Sequence, residues 1–276
     1  MRTRAFAVGL GLCAALATAL PAEAQYSVRR PSNRATGETY HVEIGGLFWN
    51  PKPDVVIASE GLGQNGDPID FVNTLGIEQT TFKQFKVVLR PGTKHKFRFE
   101  YTPISYEAQR TVPVRFVFNG QEFRVGFPVR TDLEWKAYRF GYEWDFLYKD
   151  RGFAGVVLEV KYTDVNATLD SPVVGVAQFT EARAPIPAIG FIGRGYVAPN
   201  ISITGEFSFF KLPERALETD DYSAKFYDLD IYGTVNFTDH FGAQLGYRSF
   251  DVFYKVEQDT GTLKLKGWYF GGVGRF

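Results

Sequence analysis

The chain has 276 residues with 31 basic and 31 acidic side chains, and 16% of it is aromatic. The balanced charge argues against a nucleic-acid-binding domain, which carries a basic excess. A single Cys excludes a disulfide framework and a Cys-rich zinc module.

At the N-terminus, Arg2 and Arg4 precede an uncharged apolar run from Phe6 to Leu20, and Ala22-Glu23-Ala24 makes an A-x-A step. This layout predicts a secretory signal peptide over residues 1–24, cut after Ala24. The run is too short for a spanning helix, which needs about 20 apolar residues. Cleavage would remove Cys13 and leave an exported chain without thiols. Residues 25–38, with Arg29, Arg30 and Arg34, read as a disordered periplasmic tail, and residues 39–276 as one domain.

From there the hydrophobic pattern has a period of two. In one stretch Tyr138, Phe140, Tyr142, Trp144 and Phe146 alternate with Arg139, Gly141, Glu143 and Asp145. In another, Ile201, Ile203, Phe207 and Phe209 alternate with Ser202, Thr204, Glu206 and Ser208. Ten such segments begin near Thr39, Thr81, Lys94, Thr131, Gly152, Ala184, Asn200, Tyr222, Phe241 and Thr262. Short connections rich in Pro, Gly, Asn and Asp, such as Arg90-Pro91-Gly92-Thr93 and Ala198-Pro199-Asn200, fit tight turns. They alternate with longer ones, Pro51–Thr80, Ile104–Arg130, Asp164–Arg183, Pro213–Asp221 and Glu257–Gly261.

Short periplasmic turns, longer extracellular loops and an even strand number are the pattern of a transmembrane β-barrel. Backbone groups in hydrocarbon must all be paired, so such a sheet closes on itself. The expected fold is therefore all-β, a closed antiparallel barrel of about ten strands. A soluble β-sandwich or lipocalin-like barrel would bury its apolar face. Here that face is unusually aromatic and the other is heavily charged, which fits the inside-out case. Trp49, Tyr101, Tyr138, Tyr142, Trp144, Tyr162, Tyr196, Tyr247 and Trp268 read as interfacial girdles.

The last strand runs through Trp268 and Phe270 to a terminal Phe276. This ending resembles the assembly signal of Gram-negative outer-membrane β-barrel proteins. The resemblance implies recognition by the barrel-assembly machinery. The segment Pro68–Ile77 is similar to one found in small barrels of that group with no known activity.

The alternation directs a charged set inward: Glu43, Lys86, Arg98, Glu100, Arg139, Glu143, Asp145, Glu159, Lys161, Arg194, Glu206, Asp228, Asp230, Arg248 and Arg275. Such a mixture can fill a narrow lumen with ion pairs or line a water-filled pore. A ten-stranded barrel is little wider than the eight-stranded kind that side chains fill, which favours the plug.

Candidate chemistry is thin. Enzymes of the outer-membrane group, by resemblance, use a His beside a Ser or an Asp pair toward the outer rim. His41, His95 and His240 all map to the periplasmic side. His41 and Glu43 share a strand face, but two ligands are weak evidence for a metal. Asp228 and Asp230, with Glu143 and Asp145, could form a carboxylate site, although neighbouring basic residues favour salt bridges. The acidic loop Glu214–Asp221 lacks the ligand spacing of a calcium loop. Among the long loops, Asp67 or Asp70 could cap a short helix over Ile69–Leu75, and Asn119-Gly120 marks a hairpin.

The expectation is a non-enzymatic outer-membrane barrel with a charge-filled narrow lumen, exposed loops, and neither cofactor nor metal. The alternative is a narrow channel for ions or small solutes. Expected partners are outer-membrane lipids and lipopolysaccharide, with the assembly machinery during insertion and no nucleic acid.

Overall fold

A computed structural model describes residues 35–60, 66–173, 175–179, 184–212, 222–256 and 259–276. The expected signal peptide over residues 1–24, residues 25–34 of the expected tail and the acidic loop Glu214–Asp221 lie outside the described residues.

Among the described residues fourteen strands follow in chain order: β1 (Val42–Ala58), β2 (Ile69–Asp70), β3 (Phe82–Gly92), β4 (His95–Thr111), β5 (Phe116–Phe118), β6 (Gln121–Phe123) and β7 (Pro128–Lys149). Then come β8 (Gly152–Ser171), β9 (Gly175–Phe179), β10 (Ala184–Ala198), β11 (Ile201–Lys211), β12 (Tyr222–Asn236), β13 (Phe241–Val256) and β14 (Asp259–Arg275). Ten of them, β1, β3, β4, β7, β8 and β10 to β14, pair antiparallel in sequence order. Strand β14 returns to β1, from Glu43 opposite Arg275 to Ala58 opposite Thr260. The sheet is a closed ten-stranded barrel, and each strand starts within a few residues of the position its alternation indicates.

The strands do not stop where the long loops were expected. β1, β4 and β8 continue well into Pro51–Thr80, Ile104–Arg130 and Asp164–Arg183, and β7 begins at Pro128. The reason lies in the phase of the pattern. In the lower barrel the outward residues are apolar, Ile44 and Phe48 on β1 and Phe140 on β7, while charges point in. Above Trp49 the inward face becomes Val55 and Ile57, and above Arg139 it becomes Trp135, Leu133 and Val129. Outside, Lys264 now pairs with Asp54 at 3.5 Å and Lys266 with Asp251 at 3.7 Å, both exposed. The same strands thus pass from hydrocarbon into water by exchanging the polarity of their two faces.

This upper barrel holds an apolar core. Trp135 and Phe250 rings lie 5.0 Å apart, and Phe226 meets Phe250 edge-on at 5.1 Å. Two loop elements cover it. Strand β2 bonds to β1, and Phe71, Leu75 and Ile77 that follow it are buried. The hairpin β5–β6 inserts Phe116, Phe118 and Phe123. Its turn is Asn119-Gly120, with φ of 47° and 72°, the left-handed pair that a two-residue hairpin turn requires. The expected helix over Ile69–Leu75 is instead one turn. Asp70 Oδ1 accepts from the amides of Val72 and Asn73, and a Gly at position 76 with φ of 82° ends the turn. Asp67 caps nothing and instead accepts the Val117 amide, tying loop to hairpin.

Trp49 and Tyr196 also depart from expectation. Both are buried inside the barrel rather than in a girdle, because each falls on the inward parity of its strand.

Trp135→Ala should remove about 3–5 kcal/mol of stability, because the cap cannot collapse into the space left. Urea unfolding of the detergent-folded barrel measures this.

Candidate functional site

Eighteen charged side chains are buried inside the barrel among the described residues, nine basic and nine acidic. All fifteen positions that the alternation turns inward are among them. The other three are Glu38, Arg90 and Lys96. Lys96 shares its parity with Arg98 and Glu100, and Arg90 with Lys86, so alternation carried through to the turns would have found both. Glu38 precedes the first strand, where alternation says nothing.

Glu206 sits at the centre. It accepts from Arg98, lies 3.4 Å from Arg139 and 3.9 Å from Lys86, and takes the Tyr232 hydroxyl at 3.3 Å. Arg139 also holds Glu159 at 2.5 Å. Toward the apolar core, Arg248 bridges Glu100 at 2.5 Å and Asp228 at 2.7 Å, and Lys161 reaches Asp228 at 2.8 Å. Asp230 accepts the Tyr269 hydroxyl at 2.8 Å. That tyrosine lies across Gly246, where a Cβ would come within 2.5 Å of its ring. Toward the periplasm, Lys96 holds both Glu143 at 2.5 Å and Asp145 at 2.9 Å, while Arg275 holds Glu43 at 2.6 Å.

The candidate carboxylate site is therefore divided. Asp228 is held by Arg248 and Lys161 and Glu143 by Lys96 and Arg98, at different levels of one connected network. Glu43 is engaged by Arg275. Aromatic rings complete the lining. Lys96 Nζ stands 3.5 Å above Phe153 and Lys161 Nζ 3.7 Å above Phe226, where ring faces offset part of the desolvation of an ammonium.

A cavity of about 20 Å³ lies among Trp49, Glu100, Arg139, Lys161 and Arg248. A second of about 10 Å³ lies among Tyr40, Glu43, Arg98 and Arg194. Each has room for about one water.

The periplasmic mouth is crossed by the end of the tail. The Ala35 amide bonds to Asp150 O, Thr36 to Pro199 O and Gly37 to Asp239, so three different turns are tied together. Glu38 then reaches inward to Arg194 at 2.9 Å and to the Tyr196 hydroxyl at 2.8 Å, and Arg90 bonds its carbonyl at 2.7 Å. Residues 35–38 are therefore bound rather than loose, since the turns supply two carbonyls and the Asp239 carboxylate as acceptors and the lumen supplies two guanidinium groups. Burial alone would push the Glu38 carboxyl up, but Arg194, Arg90 and Lys96 together hold it down to about 2.

The three histidines lie at this same end. His41 and His240 ring nitrogens meet the carbonyls of Arg90 and Arg275, and His95 meets the Tyr142 hydroxyl at 2.6 Å. The C-terminal Phe276 is exposed, and its carbonyl accepts from the amides of His41 and Val42 at the seam. Trp268 and Phe270 also face outward.

No family model matches the sequence, and no curated protein does. Solved structures do match in shape. The outer membrane protease OmpT from Escherichia coli superposes with a TM-score of 0.56 at 8% identity, covering 85% of this chain and 96% of that one. The chain has the fold of an outer-membrane β-barrel. Ail of Yersinia pestis (10% identity, 86% and 99% covered) and OprG of Pseudomonas aeruginosa (9%, 88% and 98%) match at 0.36, too low for comparison of detail. At 8% identity the OmpT likeness concerns the fold alone. Its exposed apolar belt suits a barrel that crosses a membrane with its strands.

Two outcomes follow for the charges. Glu206→Gln leaves Arg98, Lys86 and Arg139 short of a buried anion and should cost about 3–5 kcal/mol in urea unfolding. Glu38, whose folded pKa is depressed, stabilises the strap above its unfolded pKa. That contribution is lost as pH falls from the ordinary carboxylate range toward 2. Glu38→Gln should lower stability at neutral pH and flatten the acid limb in that window, as read by protease cleavage of the strap against pH.

Proposed function

We propose that this protein is a sealed, non-enzymatic barrel whose work is done by its extracellular cap, as a structural or interaction surface. The observation that carries the reading is the stack of three fillings inside one wall: the tail residues 35–38, the ion-paired lumen, and the apolar upper core under Phe71 and Phe118. Selective pores keep rings of one charge sign along a wet path. Here buried cations and anions balance and each cluster is engaged internally.

The cap is suited to contact. Arg115 and Arg124 on the β5–β6 hairpin are about two-thirds exposed around Glu122, and Val114 and Val125 beside them are exposed. Loops on a rigid barrel are where recognition is placed. Against catalysis stands the placement of all three histidines at the periplasmic end, with no His among the buried charges. Trp268, Phe270 and Phe276 serve as the signal read by the barrel-assembly machinery during insertion.

Planar-bilayer recording of the inserted, folded barrel tests the reading. A silent barrel at every salt concentration is expected. Discrete conductance steps that scale with salt would replace this reading with that of a narrow channel for ions or small solutes.

A further inference from the structure

At the periplasmic end of the lumen one lysine meets two carboxyls. Lys96 on β4 is buried, with Nζ 2.5 Å from Glu143 Oε1 and 2.9 Å from Asp145 Oδ2, both on the neighbouring strand β7. The Phe153 ring covers another flank of the same nitrogen, its centroid 3.5 Å away. Asp145 is fully buried. Its carboxyl lies against Gly155, where a Cβ would come within 2.7 Å of Oδ1, so a larger residue would displace it. The Asp145 amide is fixed in turn by the Lys94 carbonyl at 2.8 Å, beside the bulge in the β7–β8 ladder between Trp144 and Leu147.

The two carboxyls are not equivalent. Glu143 accepts a hydrogen bond from Lys96 and pairs with Arg98 at 3.2 Å. Among the described residues neither Asp145 oxygen has a hydrogen-bond partner, although Lys96 Nζ is in contact with one of them. The nitrogen therefore touches the Asp145 carboxyl without donating to it. Lys161 supplies the contrast. It too lies over a ring, Phe226, between Glu159 at 3.0 Å and Asp228 at 2.8 Å, but there Arg248 donates to both Asp228 oxygens. A carboxylate gripped by a guanidinium fork is locked in its salt bridge and resists attack. Asp145 has no such fork.

We propose that Lys96 and Asp145 join in an intramolecular isopeptide bond once the barrel has folded, with Glu143 as the catalytic residue. Glu143 takes a proton from the Lys96 ammonium. The freed amine attacks Asp145 Cγ, and a C–N bond replaces a C–O bond. Glu143 passes its proton to the departing oxygen, and the second proton lost by the nitrogen follows the same route, so that oxygen leaves as water. One ammonium and one carboxylate give one amide and one water, with no other reactant. The cavity of about 10 Å³ that Lys96, Glu143 and Phe153 help to line has room for that water. Fixed contact between amine and carboxyl supplies the high effective concentration the reaction needs. The product exchanges two buried charges for a neutral amide, which removes their desolvation cost. One cation and one anion disappear together, so the formal balance of the interior is kept.

Intact mass of the full mature chain, before and after folding from urea into detergent, tests this, followed by tryptic mapping. The unfolded chain should have its sequence mass. The folded barrel should be lighter by one water, and its digest should contain a branched peptide joining His95–Arg98 to Phe140–Lys149. D145N should lose one ammonia instead, because the same attack then expels the amide nitrogen. K96R should keep its full mass, and E143Q should slow the loss about a hundredfold or more. The difference in gel mobility between folded and heat-unfolded forms shows that each variant is an intact barrel. A folded parent at its full sequence mass, without the branched peptide, overturns the proposal. So does a water loss that persists in K96R, which marks succinimide formation elsewhere, and E143Q closing the bond at the parent's rate removes Glu143 from the mechanism. The parent's own branched peptide decides the matter if a variant fails to fold.

Discussion

A sheet immersed in hydrocarbon can leave no N–H or C=O group unpaired, and most of what this chain does follows from that constraint. Ten strands close into a ring because an edge would be too costly. Once closed, each strand must show lipid one face and the lumen the other, and alternate residues supply them. The lumen then receives every polar side chain the wall excludes. Buried charges are costly unless paired and hydrogen-bonded, which is why Glu206 has three cations around it and Asp228 has two. The ion-pair network is a consequence of the membrane rather than an addition to it.

The same backbone rule holds above the membrane, but the solvent has changed. Alternation continues without a break in β1, β7 and β8, and only the chemistry of the two parities is exchanged. The barrel therefore contains two cores stacked end to end, one ionic and one apolar. Their junction is made by side chains that serve both. Phe250 packs on Trp135 and Phe226 on Phe250, and the two present ring faces downward to Arg248 and Lys161. Trp49 does the same beside Arg248 and donates its indole N–H to the Gly267 carbonyl, so its polar atom is spent on the wall.

Strand number and inward parity were legible in the sequence because period-two alternation is a local property. The phase reversal was less so. Pro51 to Ala58 reads as loop when Pro and Asp are taken as breakers, yet both prolines of that stretch point inward and Lys52 and Asp54 outward, as an exposed strand allows. Trp49 and Tyr196 looked like girdle residues for the same reason: proximity to a strand end suggests an interface, whereas parity decides which side is faced. What the sequence could not disclose is long-range. Glu38 meets Arg194 across 156 positions, and no local signal announces that a tail will fold back under the barrel it precedes.

The three residues that local reading missed change the physics of the interior. The fifteen alternation-derived positions carry seven cations and eight anions, a set with an excess charge that would call for a counter-ion or a wet path. Adding Arg90, Lys96 and Glu38 brings the described interior to nine of each. Two of these lie on strands and one on the strap, so the formal charges of the described interior match only when residues 35–38 are in place. Strap and network are then mutually dependent. The strap binds because the lumen offers Arg194 and Arg90, and those guanidinium groups can remain buried because the strap delivers Glu38. A barrel whose formal internal charges balance only with residues 35–38 inserted is built to hold that segment.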